Sequence, residues 1–134
     1  MKAVNPRIRI VACESELATP LRKAFKAGRP VEAPCRAGFI SGVGAPAVLP
    51  SMWPLLQELV DDTAVAAIAD VVTVVRDLAL HCHVVAEGAG AVSVAVARTA
   101  TIPGRKVVCI VSGGNIGAGD LATILTGGLP GGKN

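Results

Sequence analysis

Aromatic residues are scarce in this chain of 134 residues, which holds only Phe25, Phe39 and Trp53 and no tyrosine. Surfaces that bind nucleic acids commonly stack bases on aromatic side chains set among basic ones. The net charge of +3 is concentrated in residues 1–36, which hold eight of the thirteen basic residues. Four of these basic residues fall on one predicted helix, where they are typical of a solvated face. We therefore expect no nucleic-acid partner.

Long apolar runs and paired cysteine motifs are also lacking. No apolar run reaches the roughly 18 residues of a membrane span, and the start has no signal-peptide core. The four cysteines, Cys13, Cys35, Cys82 and Cys109, show no C-x-x-C spacing, so neither a zinc site nor a disulfide framework is indicated. These absences predict a cytoplasmic protein with free thiols and no membrane partner.

The chain is rich in valine, alanine and isoleucine, and 51% of its residues are hydrophobic. Such residues favour parallel strands covered by closely packed helices. Strand-like segments are predicted at residues 7–13, 63–67, 84–86 and 106–111, alternating with helices. This order predicts an α/β fold, a three-layer sandwich with a short and mainly parallel sheet. We expect one domain over residues 1–126 and a flexible Gly/Pro-rich tail over 127–134.

Capping residues mark the predicted helices. Ser15 is predicted to cap the first helix and Gly28 to end it. After an irregular segment over residues 29–50, Ser51 is predicted to cap a second helix. That helix has an apolar stripe at helical spacing, formed by Met52, Leu55, Leu56, Leu59 and Val60.

Two strand-to-helix turns are rich in glycine, at residues 88–90 and 113–114. The amino end of a helix offers free N–H groups to an anion, and ligands commonly lie beyond the carboxyl ends of parallel strands. Neither turn carries the full dinucleotide fingerprint, because Ser93 stands at the third glycine position of the first. The turns therefore indicate a small-anion or cofactor site rather than a nicotinamide site.

Several segments, taken in order, resemble the carboxyl-terminal half of threonine dehydratases and serine racemases. These are pyridoxal-phosphate (PLP) enzymes of the tryptophan-synthase-β fold, known as fold type II. The segments that carry the resemblance are residues 2–11 (KAVNPRIRIV), 53–54 (WP), 59–62 (LVDD), 84–91 (VVAEGAGA) and 112–115 (SGGN). The resemblance implies a partial large domain of a PLP-dependent lyase of amino-acid metabolism.

The resemblance also implies roles for the residues at the glycine turns. Ser112 matches the hydroxyl that meets the pyridine nitrogen of PLP, and Gly113, Gly114 and Asn115 complete that turn. Glu87 matches an acid that faces the same ring. Two alternatives stay open: Ser112 is also a common turn-forming residue, and Glu87 is also well placed to interact with a helix dipole.

Some relatives bind a divalent cation through a glutamate, a backbone carbonyl and an aspartate. Glu14 and Ala18 match the first two of these positions. Pro20 stands at the third, where its side chain offers no oxygen to a hard cation. The resemblance therefore supplies only part of a metal site.

Family catalysis also needs a lysine that forms a Schiff base with PLP and a glycine loop for its phosphate. The lysines here are Lys2, Lys23, Lys26, Lys106 and Lys133, and none has the matching context. We expect a chain that is not catalytic alone and that associates as a homo-oligomer, most simply a dimer. The alternatives are a stand-alone module that binds a small anion or a protein, and an accessory subunit of a complete dehydratase.

Overall fold

The computed structural model describes residues 1–36, 38–102, 104 and 106–131. Within them lie two strands and five α-helices, joined by turns and two short 3-10 helices at Ser41–Val43 and Pro50–Met52. The strands are β1 (Val11–Ser15) and β2 (Asp62–Ala66), and the helices are α1 (Pro20–Ala27), α2 (Trp53–Leu59), α3 (Ile68–Cys82), α4 (Gly88–Thr99) and α5 (Ala118–Leu125).

Strands β1 and β2 pair in parallel, with Val11 opposite Asp62 and Ser15 opposite Ala66. Parallel strands need a crossover connection, and here it runs through α1 and α2. Helix α4 packs against both strands, α3 packs against α4, and α5 packs against α3. The mixed α/β organisation with a short parallel sheet confirms the predicted fold class.

The core lies mainly between α3 and α4. Both helices bury alanine and valine, whose small side chains let helices approach closely and pack densely. The buried core cluster contains Ile40, Ala66, Val71, Val72, Val74, Val75, Ala91, Val92, Ala95, Val96 and Ile124. The ion pair between Arg98 and Asp77 joins the same two helices at their surface. The prediction that residues 89–98 form a buried helix is therefore confirmed.

The ends of the first helix differ in how well the sequence indicates them. Gly28 ends α1 in the left-handed conformation with φ 68°, as predicted. Ser15 does not cap α1, because it forms the last residue of β1 and is buried. The helix starts at Pro20 instead, and proline is well suited to a first turn because it has no N–H to leave unpaired.

The second helix also differs from the prediction. Ser51 lies inside a 3-10 helix rather than capping α2, whose preceding residue makes no side-chain cap. Trp53 is buried and its ring packs edge-on against Phe25, with the ring centroids 5.2 Å apart. Met52 and Leu55 of the predicted stripe are exposed at 43% and 45%. The apolar stripe of α2 is therefore only partly covered.

Two predicted strands do not form ladders among the described residues. Residues 84–86 and 106–111 have no regular strand hydrogen bonding. Their valines and Ile110 are largely exposed, with Val108 at 82%. A strand is stabilised by a neighbouring strand, and β-branched composition alone does not supply one.

The predicted tail begins as part of a helix ending. The N–H groups of Gly127 and Gly128 donate to the carbonyls of Ile124 and Thr123 at 3.0 and 2.8 Å, which satisfies carbonyls at the end of α5. Residues 132–134 lie outside the described residues. Flexibility of the tail stays a prediction.

Candidate functional site

The contact between Glu87 and Gly113 defines the candidate site. The N–H of Glu87 donates to the carbonyl of Gly113 at 3.2 Å. Gly113 has φ +84°, and a Cβ placed on it would meet Oε1 of Glu87 at 2.1 Å. Only glycine combines this backbone conformation with such close approach. The Glu87 side chain thus lies directly over the turn that follows residues 106–111.

Two further glycines allow the turn to approach α4. A Cβ on Gly90, in the first turn of α4, would meet the carbonyl oxygen of Ser112 at 2.2 Å. A Cβ on Gly114 would meet the carbonyl oxygen of Val85 at 2.8 Å. Both glycines are therefore needed for space, and together they hold the turn against the start of α4.

Part of the long irregular segment covers the start of α4 from another side. A Cβ on Gly88 would meet Cγ2 of Ile40 at 2.2 Å and the ring of Phe39 at 2.6 Å. Gly88 and Gly90 are buried in consequence. The first turn of α4 is therefore packed against protein groups, which leaves less room for an anion than the sequence suggests.

The second glycine turn does not begin a helix. Helix α5 starts at Ala118, after Gly117, rather than directly after Gly113 and Gly114. The N–H of Ile116 donates to the carbonyl of Gly114 at 2.9 Å instead, so the chain makes a further turn before α5. The prediction of a helix over residues 116–125 is thus shortened at its start.

The structure brings four of the five predicted cofactor residues together. Glu87, Ser112, Gly113 and Gly114 meet through the contacts described above. Asn115 follows on the same turn, and both Ser112 and Asn115 are exposed. Since Glu87 immediately precedes α4, its carboxylate also lies where a helix dipole favours negative charge. The geometry thus accommodates both roles of Glu87.

The predicted metal residues have another role in the structure. Glu14 is 7% exposed, and its Oε1 and Oε2 accept hydrogen bonds from the N–H groups of Leu21 and Arg22 at 2.7 and 3.0 Å. Both carboxylate oxygens therefore cap α1, beside the buried Ala18 and Pro20. Within the described residues, no three His, Cys, Asp or Glu side chains gather as a metal-binding group.

Glu16 caps a second helix in the same way, which the sequence did not lead us to expect. Its Oε1 accepts a hydrogen bond from the N–H of Ile68 at 2.7 Å, at the start of α3. Neither Thr19 nor Ala67 makes a side-chain cap for the helix that follows it. The available signal was two glutamates at a strand end, together with two helix starts that lack a good local cap.

A cavity of about 590 Å³ lies on the other side of β1 from β2. It is lined by the segment that leads into β1, by residues 106–110 and by one face of α4. Cys13 and Cys109 both line it as free thiols. Burial raises the pKa of the Cys13 thiol above its ordinary value, and the nearby Cys109 raises it further.

Comparison with known proteins places the chain in a family. The family model described as pyridoxal-phosphate dependent enzyme matches residues 1–113. The chain therefore belongs to the pyridoxal-phosphate dependent enzyme family. No helix among the described residues has both the length and the apolar character to cross a membrane, and a cytoplasmic location stays a prediction.

Within that family, the chain is similar to threonine dehydratases and serine racemases. It is 34% identical over 117 residues to the biosynthetic L-threonine dehydratase of Bacillus subtilis, covering 86% of this chain and 28% of the relative. It is 25% identical to the L-threonine ammonia-lyase of Geobacter sulfurreducens, covering 96% of this chain and 33% of the relative. The chain thus spans about a third or less of the length of these curated relatives.

Solved structures agree with the sequence relatives. Maize serine racemase superposes with a TM-score of 0.82 and 30% identity, over 90% of this chain and 40% of that one. A threonine deaminase from the organism abbreviated T.th. superposes with a TM-score of 0.78 and 27% identity, over 85% of this chain and 39% of that one. The predicted resemblance to these enzymes and to fold type II is confirmed.

Proposed function

We propose that this chain forms one wall of the coenzyme site in a PLP-dependent threonine or serine dehydratase. The observation that carries the proposal is the contact of Glu87 with Gly113, which holds the exposed Ser112 beside the first turn of α4. A hydroxyl and a carboxylate at one turn suit the edge of a pyridine ring. Family membership and the similarity to dehydratases support this assignment.

Ser112 would hold the pyridine nitrogen of the coenzyme, with Gly113 and Gly114 leaving room for the ring to approach. PLP supplies the electron-withdrawing ring on which amino-acid elimination depends. A neutral hydroxyl can hydrogen-bond the ring nitrogen without forcing its protonation. Glu87 would orient the turn from one side, and Asn115 would contact the coenzyme or its surroundings from the exposed end.

We further propose that the chain is not catalytic by itself. Lys2 pairs with Asp61 at 2.7 Å, next to the amino end of β2, whereas ligands of parallel sheets lie beyond the carboxyl ends. Lys23 and Lys26 are exposed on α1. Lys106 lies among the residues that line the cavity beside β1, and Lys133 lies outside the described residues. The lysine and phosphate loop would come from another polypeptide segment.

The chain also presents apolar surface suited to self-association. Leu49, Met52 and Leu55 are exposed at 66%, 43% and 45%, at a spacing of three residues on and before α2. Exposed apolar patches commonly mark association sites. A homodimer through this face of α2 is the simplest arrangement.

The role of Ser112 can be tested in a reconstituted enzyme. The chain would be co-expressed with the amino-terminal segment of the Bacillus subtilis dehydratase that precedes its match, and assayed for ammonia release from threonine. We expect Ser112→Ala to lower the turnover by about 10- to 100-fold, the loss of one hydrogen bond to a charged or polarised group. The matched control is Ser51→Ala, an exposed serine on a 3-10 helix distant in sequence.

Two results would contradict the assignment. Equal turnover of the Ser112→Ala and Ser51→Ala complexes would remove Ser112 from the coenzyme site. Stabilisation of the isolated chain by inorganic phosphate, without any response to PLP, would favour the alternative of a small-anion module.

A further inference from the structure

The cavity beside β1 has the walls of a missing place in a sheet. One wall is the segment entering β1, the other is residues 106–110, and Ser93, Val96 and Ala97 of α4 form the floor. Its volume of about 590 Å³ falls in the range of small-molecule pockets. Volume alone therefore does not identify the occupant, and the backbone of the two walls must be considered.

The backbone of β1 has a bonding edge directed toward this cavity. Ile10 donates its N–H to Asp61 Oδ2 at 2.7 Å and accepts the Asp61 N–H at 2.9 Å, on the side of β2. Successive residues of a strand direct their backbone groups to opposite sides. Arg9, Val11 and Cys13 therefore direct theirs away from β2, and all three residues line the cavity.

The opposite wall is composed like a strand and is anchored in place. Val107, Val108 and Ile110 are β-branched and are exposed at 50%, 82% and 61%. The hydroxyl of Ser93 donates to the carbonyl of Ile110 at 2.8 Å, and the Cys109 thiol contacts the carbonyl of Ser93 at 3.6 Å. Among the described residues, no backbone hydrogen bond joins 106–111 to another segment. Helix α4 thus fixes a strand-like wall whose backbone lacks partners.

We infer that this cavity is a slot for one β-strand supplied by a second polypeptide. The strand would join the free edge of β1 to residues 106–111 and lay one apolar face on α4. A small molecule would leave both rows of backbone groups unpaired, whereas a strand satisfies both, as in β-strand addition.

The occupant is a strand from the part of the family fold that this chain does not contain. The chain covers 28% of the Bacillus subtilis dehydratase and 40% of the maize racemase, so that fold has further elements. A second copy of this chain fits less well, because its β1 and β2 each already use one edge in pairing with the other. A slot with two backbone walls needs a strand with both edges available. The inference depends on the proposed function only for the source of the strand.

Thiol labelling provides a direct test, because two of the four cysteines line the slot. Cys13 and Cys109 lie in it, while Cys35 and Cys82 are exposed elsewhere. The chain would be alkylated with iodoacetamide, alone and in complex with the co-expressed amino-terminal segment of the Bacillus subtilis dehydratase. With that segment at tenfold its dissociation constant, we expect about tenfold slower labelling of Cys13 and Cys109. Labelling of Cys35 and Cys82 should not change.

A second probe does not require the partner to fold. Overlapping synthetic peptides of about ten residues, which span a strand of typical length, would cover the same segment. We expect one window rich in β-branched residues to protect Cys13 and Cys109. Val108→Asp should abolish that protection, and the matched Leu55→Asp, also exposed and outside the slot, should not.

Three outcomes would overturn the inference. They are no protection by complex or peptides, equal protection of all four cysteines, and protection that rises with the concentration of this chain alone, which would assign the slot to a second copy. Failure of the proposed function is distinguishable, because protection of Cys13 and Cys109 without any PLP absorbance would leave the slot standing and remove the coenzyme site.

Discussion

Oε1 of Glu87 lies so close to Gly113 that a Cβ on that glycine would come within 2.1 Å of it. Gly113 also has φ +84°, a conformation that L side chains rarely adopt. One glycine therefore fixes both the path of the turn and the position of the acid that precedes α4. Ser112, the neighbouring residue, takes its position from the same contact.

Gly113→Ala should destabilise the chain by about 1–3 kcal/mol, because alanine is strained at positive φ and its methyl displaces Glu87. Urea unfolding followed by circular dichroism measures the effect. Gly119→Ala is the matched control, since Gly119 lies in α5 with nothing within 4 Å of an added Cβ. It should stabilise by about 0.5–1 kcal/mol. Similar effects of both substitutions would contradict the close packing at Gly113.

The two glutamates at the end of β1 predict a stability effect that does not depend on metal. Glu14→Ala should lower the free energy of unfolding by about 1–3 kcal/mol, because two N–H groups of α1 lose a charged, buried acceptor. Glu16→Ala, which removes one bond at the more exposed start of α3, should cost less.

Both measurements would be repeated with Mg²⁺ and with Ca²⁺. We expect the loss at Glu14 to be the same in each. A wild-type chain stabilised by either cation, with the gain lost in Glu14→Ala, would show instead that Glu14 binds metal.

Asp61 predicts a dependence of stability on pH. The hydrogen bond from Lys2, and then that from the N–H of Ile10, hold the pKa of Asp61 below its ordinary value of 3.8. Since the folded-state pKa is the lower one, this contribution is complete above about pH 3.8 and is lost as the pH falls through the folded-state value. Asp61→Asn should flatten the unfolding free energy between about pH 4 and pH 2. An unchanged slope there would contradict the prediction.

Self-association is predicted through the exposed face of α2. Light scattering should show an apparent mass that rises from monomer toward dimer with concentration. Leu55→Asp should shift that rise to higher concentration, and Val108→Asp, in the cavity beside β1, should leave it unchanged. A monomer at all concentrations would remove the predicted homodimer.

Local patterns predicted most of the fold, since they depend on neighbours in sequence. Gly28 ends α1 and the alanine and valine residues of α4 are buried, as their spacing indicated. Residues 106–111 have the composition of a strand but no ladder among the described residues, because pairing depends on a neighbouring strand and not on composition. Ser15 was misplaced because a cap and a strand end both accept serine.

The candidate site was predicted in a similar, partial way. The sequence named Glu87 and Ser112 from separate motifs, and the structure brings them together across the turn at Gly113. It did not indicate that Glu14 and Glu16 cap helices, since each bonds to N–H groups that a one-dimensional pattern does not relate to it. Contacts between distant segments are the part that local spacing does not encode.

Titration of the isolated chain and of its complex with PLP tests the central proposal most directly. We expect the isolated chain to show no visible absorbance beyond that of free coenzyme, and the complex with the amino-terminal dehydratase segment to show a saturable new band that Ser112→Ala alters. A saturable band on the isolated chain would contradict the proposal that this polypeptide provides one wall of the coenzyme site and another provides its lysine.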